Sequence, residues 1–586
     1  MQRMNSAILR SLTAAALFCA AASAEDVVMK AMRDELARSM KKLQLENLEK
    51  PYFISYRVLE GEHWSAAASF GSLTYSNHNR TRMLSVEVHV GDYGVDNSNF
   101  ISFPSMGSGV VGFLGAVSLP LDDNYDEIRR QIWLVTDGAY KKALEDLSKK
   151  RAALENQNRS EAIADFSKQE AVTAEETRPP IHVDLKEVSE MVRNVSRTFR
   201  DAPDVFTSAV RFNGSNYKDR YLNSEGSRYV KDDPIVSLVV TAAAQAPDGM
   251  QVSDFAAFYG RSAAELPGPK ELEARARECA KRCASLRAAP PAMQYNGPVL
   301  FEGEAAAAIL AQAFLHNVLG RPHMIGENAQ IQRMLEGYES PFTTRIGARV
   351  LPASFQLVDD PTIDRYGNAA LLGGYKADQE GTPSRRTVVV DNGILKTLLT
   401  SRAPVRRVPQ STGNRRGMGI MPSNVFLTSA NGMDEKDLRA ELLRMAKERG
   451  NDYAVIVRRM VIPAFAGAQQ QLMVVNGAGG AGPRQEHALA AYKVYADGRE
   501  ELMRDAEISD MTAAAFREIA AAGKQPGIYT IPFQVRSAPF QFGGLNAGPQ
   551  LVSFVVPSLL FEDVAINRPL GEIPKPPASK HPFFDK

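Results

Sequence analysis

The chain has 586 residues, 44% hydrophobic and 23% charged, with 69 basic and 68 acidic side chains for a formal net charge of +1. That length exceeds what a single hydrophobic core organises, so two large domains are expected. The charge balance and the lack of a basic stripe count against nucleic acid as a partner.

Residues 1–24 read as an export signal. Arg3 and Arg10 give the positive start, Leu12 to Ala21 the apolar core, and Ala22-Ser23-Ala24 a small-residue cleavage site. The run is too short to span a bilayer, and no later stretch is long and apolar enough to do so. Cys19, preceded by Phe18, is a poor setting for lipid attachment. The mature protein is therefore expected to be exported, periplasmic or extracellular, with no stable membrane span. Cys279 and Cys283 then remain, four apart on a helix and on one face. An oxidising compartment permits a bond between them, while the helical spacing disfavours it, so a disulfide and free thiols both stand. Two cysteines alone do not make a zinc site.

Residues 26–49 carry Val27, Val28, Met32, Leu36, Met40 and Leu43 near helical spacing, and Pro51 ends the run. Alternation at 52–58, 71–75 and 81–90 predicts strands of an antiparallel meander. His63 and His89 fall in these strands without a second histidine at ligand spacing. Residues 122–178 read as a charged, solvated helical pair laid on the sheet. A helix at 185–199 follows, then strands at 205–213, 220–222, 226–230 and 235–244, and a helix at 269–286. The turn Asn223-Ser-Glu-Gly226 joins two of these strands. Ala288-Ala-Pro-Pro-Ala292 is the predicted linker. The division is 25–290 for an N-terminal helix-plus-antiparallel-sheet domain with a helical insertion at 122–178, and 291–566 for a strand-rich C-terminal domain. The fold class is mixed α/β (α+β). In the second half, strands are expected at 350–358, 369–375, 387–390, 424–428, 453–460, 489–494 and 551–556, with an Asp391-Asn-Gly393 hairpin turn and a helix at 435–447. The Pro- and Lys-rich tail 567–586 reads as poorly ordered.

Four places resemble the TldD/PmbA family of metallopeptidase-related proteins. They are the Asn223-Ser-Glu-Gly226 turn; Val299-Leu-Phe-Glu-Gly-Glu-Ala305; Leu399-Thr-Ser-Arg402 with Ser411-Thr-Gly-Asn414 and Pro422-Ser-Asn424; and Gly548-Pro-Gln-Leu-Val-Ser-Phe-Val-Val-Pro-Ser-Leu-Leu560. The resemblance implies a two-domain fold, dimers around an enclosed cavity, and an extended peptide lying on a sheet edge. Active members carry His-Glu-x-x-x-His on the second of these segments, with a cysteine of the C-terminal half as third zinc ligand. Such a set holds the metal and leaves a position for an activated water. Laid on this chain, the histidines fall on Gly303 and Ala308 and the glutamate on Glu304. No cysteine follows Cys283.

The resemblance thus implies a zinc-less, peptide-binding member without a metal cofactor. It would form a homodimer, or a heterodimer with a zinc-bearing TldD-like subunit. Glu304 keeps the general-base position, and Ser401, Arg402, Gly413, Asn414 and Asn424 are the candidate cavity wall. Two rivals stand beside it. One is an active metallopeptidase with a relocated zinc site built from Glu302 or Glu304 with His316 and His323, near Glu327, His487 being the other histidine available. The other is a structural envelope protein whose cavity is plugged by the insertion at 122–178.

Overall fold

The computed structural model describes residues 26–102, 116–155, 163–417, 419–465, 486–509, 511–533, 550–568, 577, 579 and 581–584. The predicted export signal lies outside these residues, as does most of the tail.

The first half runs α1 (Val27–Lys42), β1 (Pro51–Ser69), β2 (Ser72–Val90), β3 (Phe100–Ile101), β4 (Val117–Ser118), α2 (Tyr125–Glu155), β5 (Thr173–Glu176), α3 (Leu185–Arg197), β6 (Val205–Asn223), β7 (Arg228–Gln245), β8 (Gln251–Gly260) and α4 (Pro269–Ala288). Asp26 and Asp184 open α1 and α3 by accepting backbone amides, satisfying donors that a helix start leaves unpaired. The main sheet has the order β4-β2-β1-β6-β7-β5, with β8 on β7 as well. Period-two alternation sorts its residues. On one face Ile54, Tyr56 and Val58 pack under α1 and α2, and Trp64, Ala66 and Ala68 pack under α3 and α4. Phe53, Arg57, Asp219, Tyr221 and Tyr229 on the other face are also buried, and there the second half of the chain supplies the cover.

That second half is built on two large sheets. One is built around Phe355–Asp359, Asn424–Ser429 and Gln550–Val556. The other centres on β9 (Tyr295–Phe301), which has Ala454–Met460 parallel on one side and Leu559–Asn567 antiparallel on the other. The largest apolar cluster spans both sheets and takes in α5 (Glu304–Ile309).

The structure corrects several sequence expectations. The meander strands fuse into two 19-residue strands, because pairing with β1 carries β2 through its polar stretch Asn77–Arg80. Residues 122–178 are not a solvated helical pair. They form one 31-residue helix that buries Ile128, Ile132, Val135, Tyr140 and Leu147, followed by β5, which pairs parallel to β7. Since α2 covers the sheet face turned away from the second half, it does not plug the space between the halves. Residues 369–375 form only a two-residue strand, since the amides of Leu372 and Gly373 turn aside to Ser553 Oγ (2.8 Å) and Asn424 Oδ1 (3.0 Å). In the tail, His581 and Phe583 pack on Phe70 at ring separations of 5.2 and 5.5 Å. Cys279 and Cys283 are free thiols, both fully buried.

Arg402 joins the halves. Its guanidinium is fully buried, pairs with Glu225 (2.7 and 2.9 Å), and donates to the Ser167 carbonyl through Nε (3.0 Å) and Nη2 (2.6 Å). It also lies over the rings of Phe166 (4.0 Å) and Phe53 (4.9 Å). Tyr221 Oη donates to the Glu380 carbonyl (3.0 Å), and the Lys376 amide donates to Glu176 (2.5 Å). Replacing Arg402 with Met should lower stability by about 3–5 kcal/mol, the cost of leaving a buried carboxylate without its partner. Arg402→Lys should recover only part of that loss, because an ammonium lacks the two-pronged fork. Denaturant midpoints of the three proteins check both expectations.

Candidate functional site at the domain joint

Four motif segments set the site, and the fold brings them together in pairs. The Asn223–Gly226 turn is closed by Asn223 Oδ1, which accepts from the amides of Glu225 (3.1 Å) and Ser227 (2.9 Å). This Asx geometry aims Glu225 at Arg402. The loops at 399–402, 411–414 and 422–424 knit to each other through Thr400, Thr412 and Asn414. Asn424 and Ser553 then face each other in a parallel pair, which ties in the closing strand.

The candidate wall residues are held inside these loops. Ser401, Arg402, Asn414 and Asn424 are buried. Asn414 donates to Asp359 (2.8 Å), and Asn424 donates to the carbonyls of Asp360 (3.1 Å) and Ile363 (2.8 Å). Gly413 has φ +79°, and a Cβ there would stand 2.7 Å from the Pro383 carbonyl oxygen. Their side chains fix loop shape and do not face open space.

The remaining segment begins where β9 ends. The Glu302 amide donates to the Val457 carbonyl (2.9 Å), and the Glu302 carboxylate is held by Arg439 (3.0 Å) and Arg458 (2.9 Å). Gly303 has φ +60° and ψ −129°, a backbone state essentially reserved for glycine. A Cβ built on it would lie 3.3 Å from Tyr529 Oη. Ala305 to Ala308 are each 0% exposed within the apolar cluster. After them the chain widens into a π-turn at Leu310–Phe314. Beside Gly303 opens a cleft of about 640 Å³, lined among others by Glu302, Glu435, Arg439, Tyr529 and Ser558.

Glu304 turns to the N-terminal half. Its carboxylate lies 3.2 Å from Arg459, which also meets Asp254 of β8 (3.0 Å), donates to the Phe255 carbonyl (2.7 Å) and sits over the Phe255 ring. Burial pushes the Glu304 carboxyl above its usual value, Arg459 opposes this, and Asp254 adds to it. Tyr259, also on β8, has Glu304 as its electrostatic neighbour.

The relocated metal site does not assemble. His316 is buried with its ring 5.0 Å from Phe533, while His323 is exposed and paired with Glu339. Glu327 pairs with Lys149 (3.3 Å), and His487 lies 3.9 Å from Asp505. Among the described residues no group of three or more His, Cys, Asp or Glu side chains is placed to hold a metal ion. Gly303 and Ala308 offer no donor atom, so these positions do not fit zinc.

Sequence reasoning missed Tyr259, Arg459 and Tyr529. The strand carrying Tyr259 had a signal in Pro247-Asp-Gly249, a turn ahead of Val252–Tyr259. Arg459 and Tyr529 had none, since only the tertiary fold brings them to Glu304 and Gly303.

Residues 294–568 match the family model of the PmbA/TldA metallopeptidase C-terminal domain. Over its C-terminal half, residues 294–568, the chain belongs to the TldD/PmbA family. A metalloprotease of Methanothermobacter thermautotrophicus is 26% identical over 257 residues, 43% of this chain and 52% of that protein. A metalloprotease of Methanocaldococcus jannaschii is 26% identical over 279 residues, 46% of this chain and 55% of that protein. The chain thus spans about half the length of these curated relatives. The solved structure of TldE from Thermococcus kodakarensis shares the fold, with a TM-score of 0.56 at 14% identity over 92% of this chain and all of that one.

The joint carries a pH dependence. Burial raises the carboxyls of Asp359 and Asp378 to about 6, and burial with the Asp378 charge raises Glu380 to about 7. The usual carboxyl value is about 4, so across this interval the folded chain binds more protons than the unfolded one. Their contribution to stability is full below about pH 4 and is lost as pH rises through about 6 to 7. Thermal midpoints should therefore fall between pH 5 and pH 8, and Glu380→Gln should flatten that fall.

Proposed function

We propose that this chain is an exported, non-catalytic member of the TldD/PmbA family that binds extended peptide. It acts as a homodimer or beside a zinc-bearing TldD-like subunit. The observation that carries this reading is the state of the two positions matched to the zinc histidines. Gly303 occupies a backbone conformation that a histidine adopts only under strain, and Ala308 is sealed in the apolar cluster. With no cysteine after Cys283, the third ligand of the family pattern is missing too. Glu304 remains, but it faces an arginine, and a carboxylate alone does not generate hydroxide at neutral pH.

Peptide capture is supported by the cleft beside Gly303. Its wall includes Gly527 and Tyr529 from the strand Gly527–Phe533, which pairs on one side with Gln550–Val556. Strand addition gives affinity through backbone hydrogen bonds with little side-chain preference.

The test is metal content together with proteolysis. The purified full chain should carry no stoichiometric zinc and should leave oxidised insulin B chain uncut, with or without chelator. A tightly held transition metal, or cleavage that a chelator abolishes, overturns the reading. Gly303→His with Ala308→His should not recover zinc binding. The double variant should instead melt at lower temperature, because one change strains the backbone and the other overfills a packed core.

A further inference from the structure

The hairpin joining β1 to β2 turns on Phe70 and Gly71, with Ser69 paired to Ser72 across them. Both turn residues have positive φ, +48° and +81°, as a two-residue turn between twisted strands requires. Glycine takes the second place without strain. The first suits Asn, Asp or Gly, so a phenylalanine there weakens the turn it stands in. The turn is fixed from α3 and the residues after it. The Gly71 amide donates to Ser196 Oγ (2.9 Å), and Arg200 Nε donates to the Phe70 carbonyl (2.7 Å). What the Phe70 ring meets accounts for its presence. Its centre lies 6.5 Å from that of Phe199, 5.2 Å from His581 and 5.5 Å from Phe583. The Arg200 guanidinium adds a cation 5.8 Å from the Phe583 ring centre. With these neighbours in place Phe70 is buried.

The segment that arrives there has a shape of its own. His581-Pro-Phe-Phe584 closes a turn through the Phe584 amide, which donates to the His581 carbonyl (2.9 Å), with proline at the position whose φ its ring presets. The His581 ring stands 5.0 Å from Phe583 and 5.4 Å from Phe584, so three rings form one cluster that docking need not order afresh. Phe583 keeps 46% of its surface exposed, so only part of its ring is used and the contact is reversible. We propose that the β1–β2 hairpin tip is a docking site for an aromatic, proline-containing turn, and that its occupant is this chain's own segment 581–584. That segment follows Leu559–Asn567, the strand paired to β9, so the docked turn fastens the two halves a second time. Arg402 meets β1 at Phe53, near its start, whereas Phe70 lies just past its end, the length of a 19-residue strand away. The docking holds whether or not the cleft beside Gly303 takes peptide.

The test adds a fluorescein-labelled peptide of residues 577–586 to the full chain and follows its anisotropy. In the wild type the tethered turn already fills the site. In the variant Phe583→Ser with Phe584→Ser the site stands open. A tethered competitor acts at an effective concentration of about 1 mM, so for a short turn binding at about 0.1 mM the open variant should take up the peptide about tenfold more tightly than the wild type. Phe70→Asn in the open variant should abolish that binding. Asparagine suits the turn position, so this change removes the ring and keeps the hairpin. The same peptide carrying Phe583→Ala should not bind the open variant, a control that leaves the protein untouched. If the open variant binds no more tightly than the wild type, or if Phe70→Asn binds equally well, the proposal fails. If light scattering finds a wild-type dimer that becomes a monomer in the open variant, the turn docks on a second copy and the assignment to its own chain is overturned.

Discussion

The structure depends on one buried cation. Arg402 is fully enclosed, and a guanidinium is tolerated there only because its charge and its donors are matched. Glu225 supplies the countercharge, the Ser167 carbonyl takes two of the donors, and Phe53 and Phe166 present ring faces to the flat sides. These partners come from β1, from the stretch after α2 and from the turn between β6 and β7, whereas Arg402 belongs to the second half. A well-packed apolar contact would hold the halves together at least as well, but it would tolerate sliding. A bidentate ion pair with stacked rings fixes one register. The buried polar face of the N-terminal sheet, with Arg57 paired to Asp219 (2.7 Å) and Tyr229 donating to the same carboxylate (3.2 Å), continues the pattern outward.

Fixing that register has a consequence at the other end of the joint. β8 runs at the edge of the N-terminal sheet and brings Asp254, Phe255 and Tyr259 against the segment that follows β9. Arg459 spans the seam, ion-paired to Asp254 and donating to the Phe255 carbonyl on one side and ion-paired to Glu304 on the other. The Glu304 carboxylate is thus oriented by the neighbouring domain and not by its own helix, which is only six residues long. Glu302, two residues earlier, is fully engaged by Arg439 and Arg458 within the C-terminal half. Adjacent carboxylates on one strand end therefore have separate partners and separate surroundings.

What could be read in advance follows from where the physical constraint is local. The Asn223–Gly226 turn, the Asp391–Gly393 hairpin and the loop at Gly413 each need a particular backbone state, and positive φ at Gly226, Asn392, Gly393 and Gly413 bears this out. Such constraints write themselves into short stretches, so these motifs were legible. Strand length was not. The stretch of β2 from Ser76 to Arg80 shows no apolar alternation because it is exposed, and only its pairing to β1 joins the predicted strands on either side. The helix at 125–155 was mistaken for a pair because its charges drew attention away from a buried stripe. The partner of Glu304 was out of reach of any local reading, since Arg459 stands 155 positions further on. Leu559–Asn567, the antiparallel partner of β9, was passed over because its centre carries Glu562 and Asp563, both exposed at a register break.

Gly303 stands where backbone conformation and packing both favour a residue without a side chain. Removing a histidine from a zinc site and changing nothing else would leave a polar hole, with backbone groups aimed at a missing ion. The surroundings here are not of that kind. The Tyr529 hydroxyl stands close to where a side chain at 303 would begin, and the backbone holds a conformation that only glycine adopts without strain. Four consecutive alanines let α5 pack closely against the strand Ala454–Met460, where larger side chains would hold the two apart. Restoring donors at 303 and 308 would therefore act against both the local backbone and the local packing, and these oppose it independently of each other. The arginine that now holds Glu304 supplies fixed positive charge without a coordination shell. A carboxylate in that setting takes its orientation from the arginine beside it.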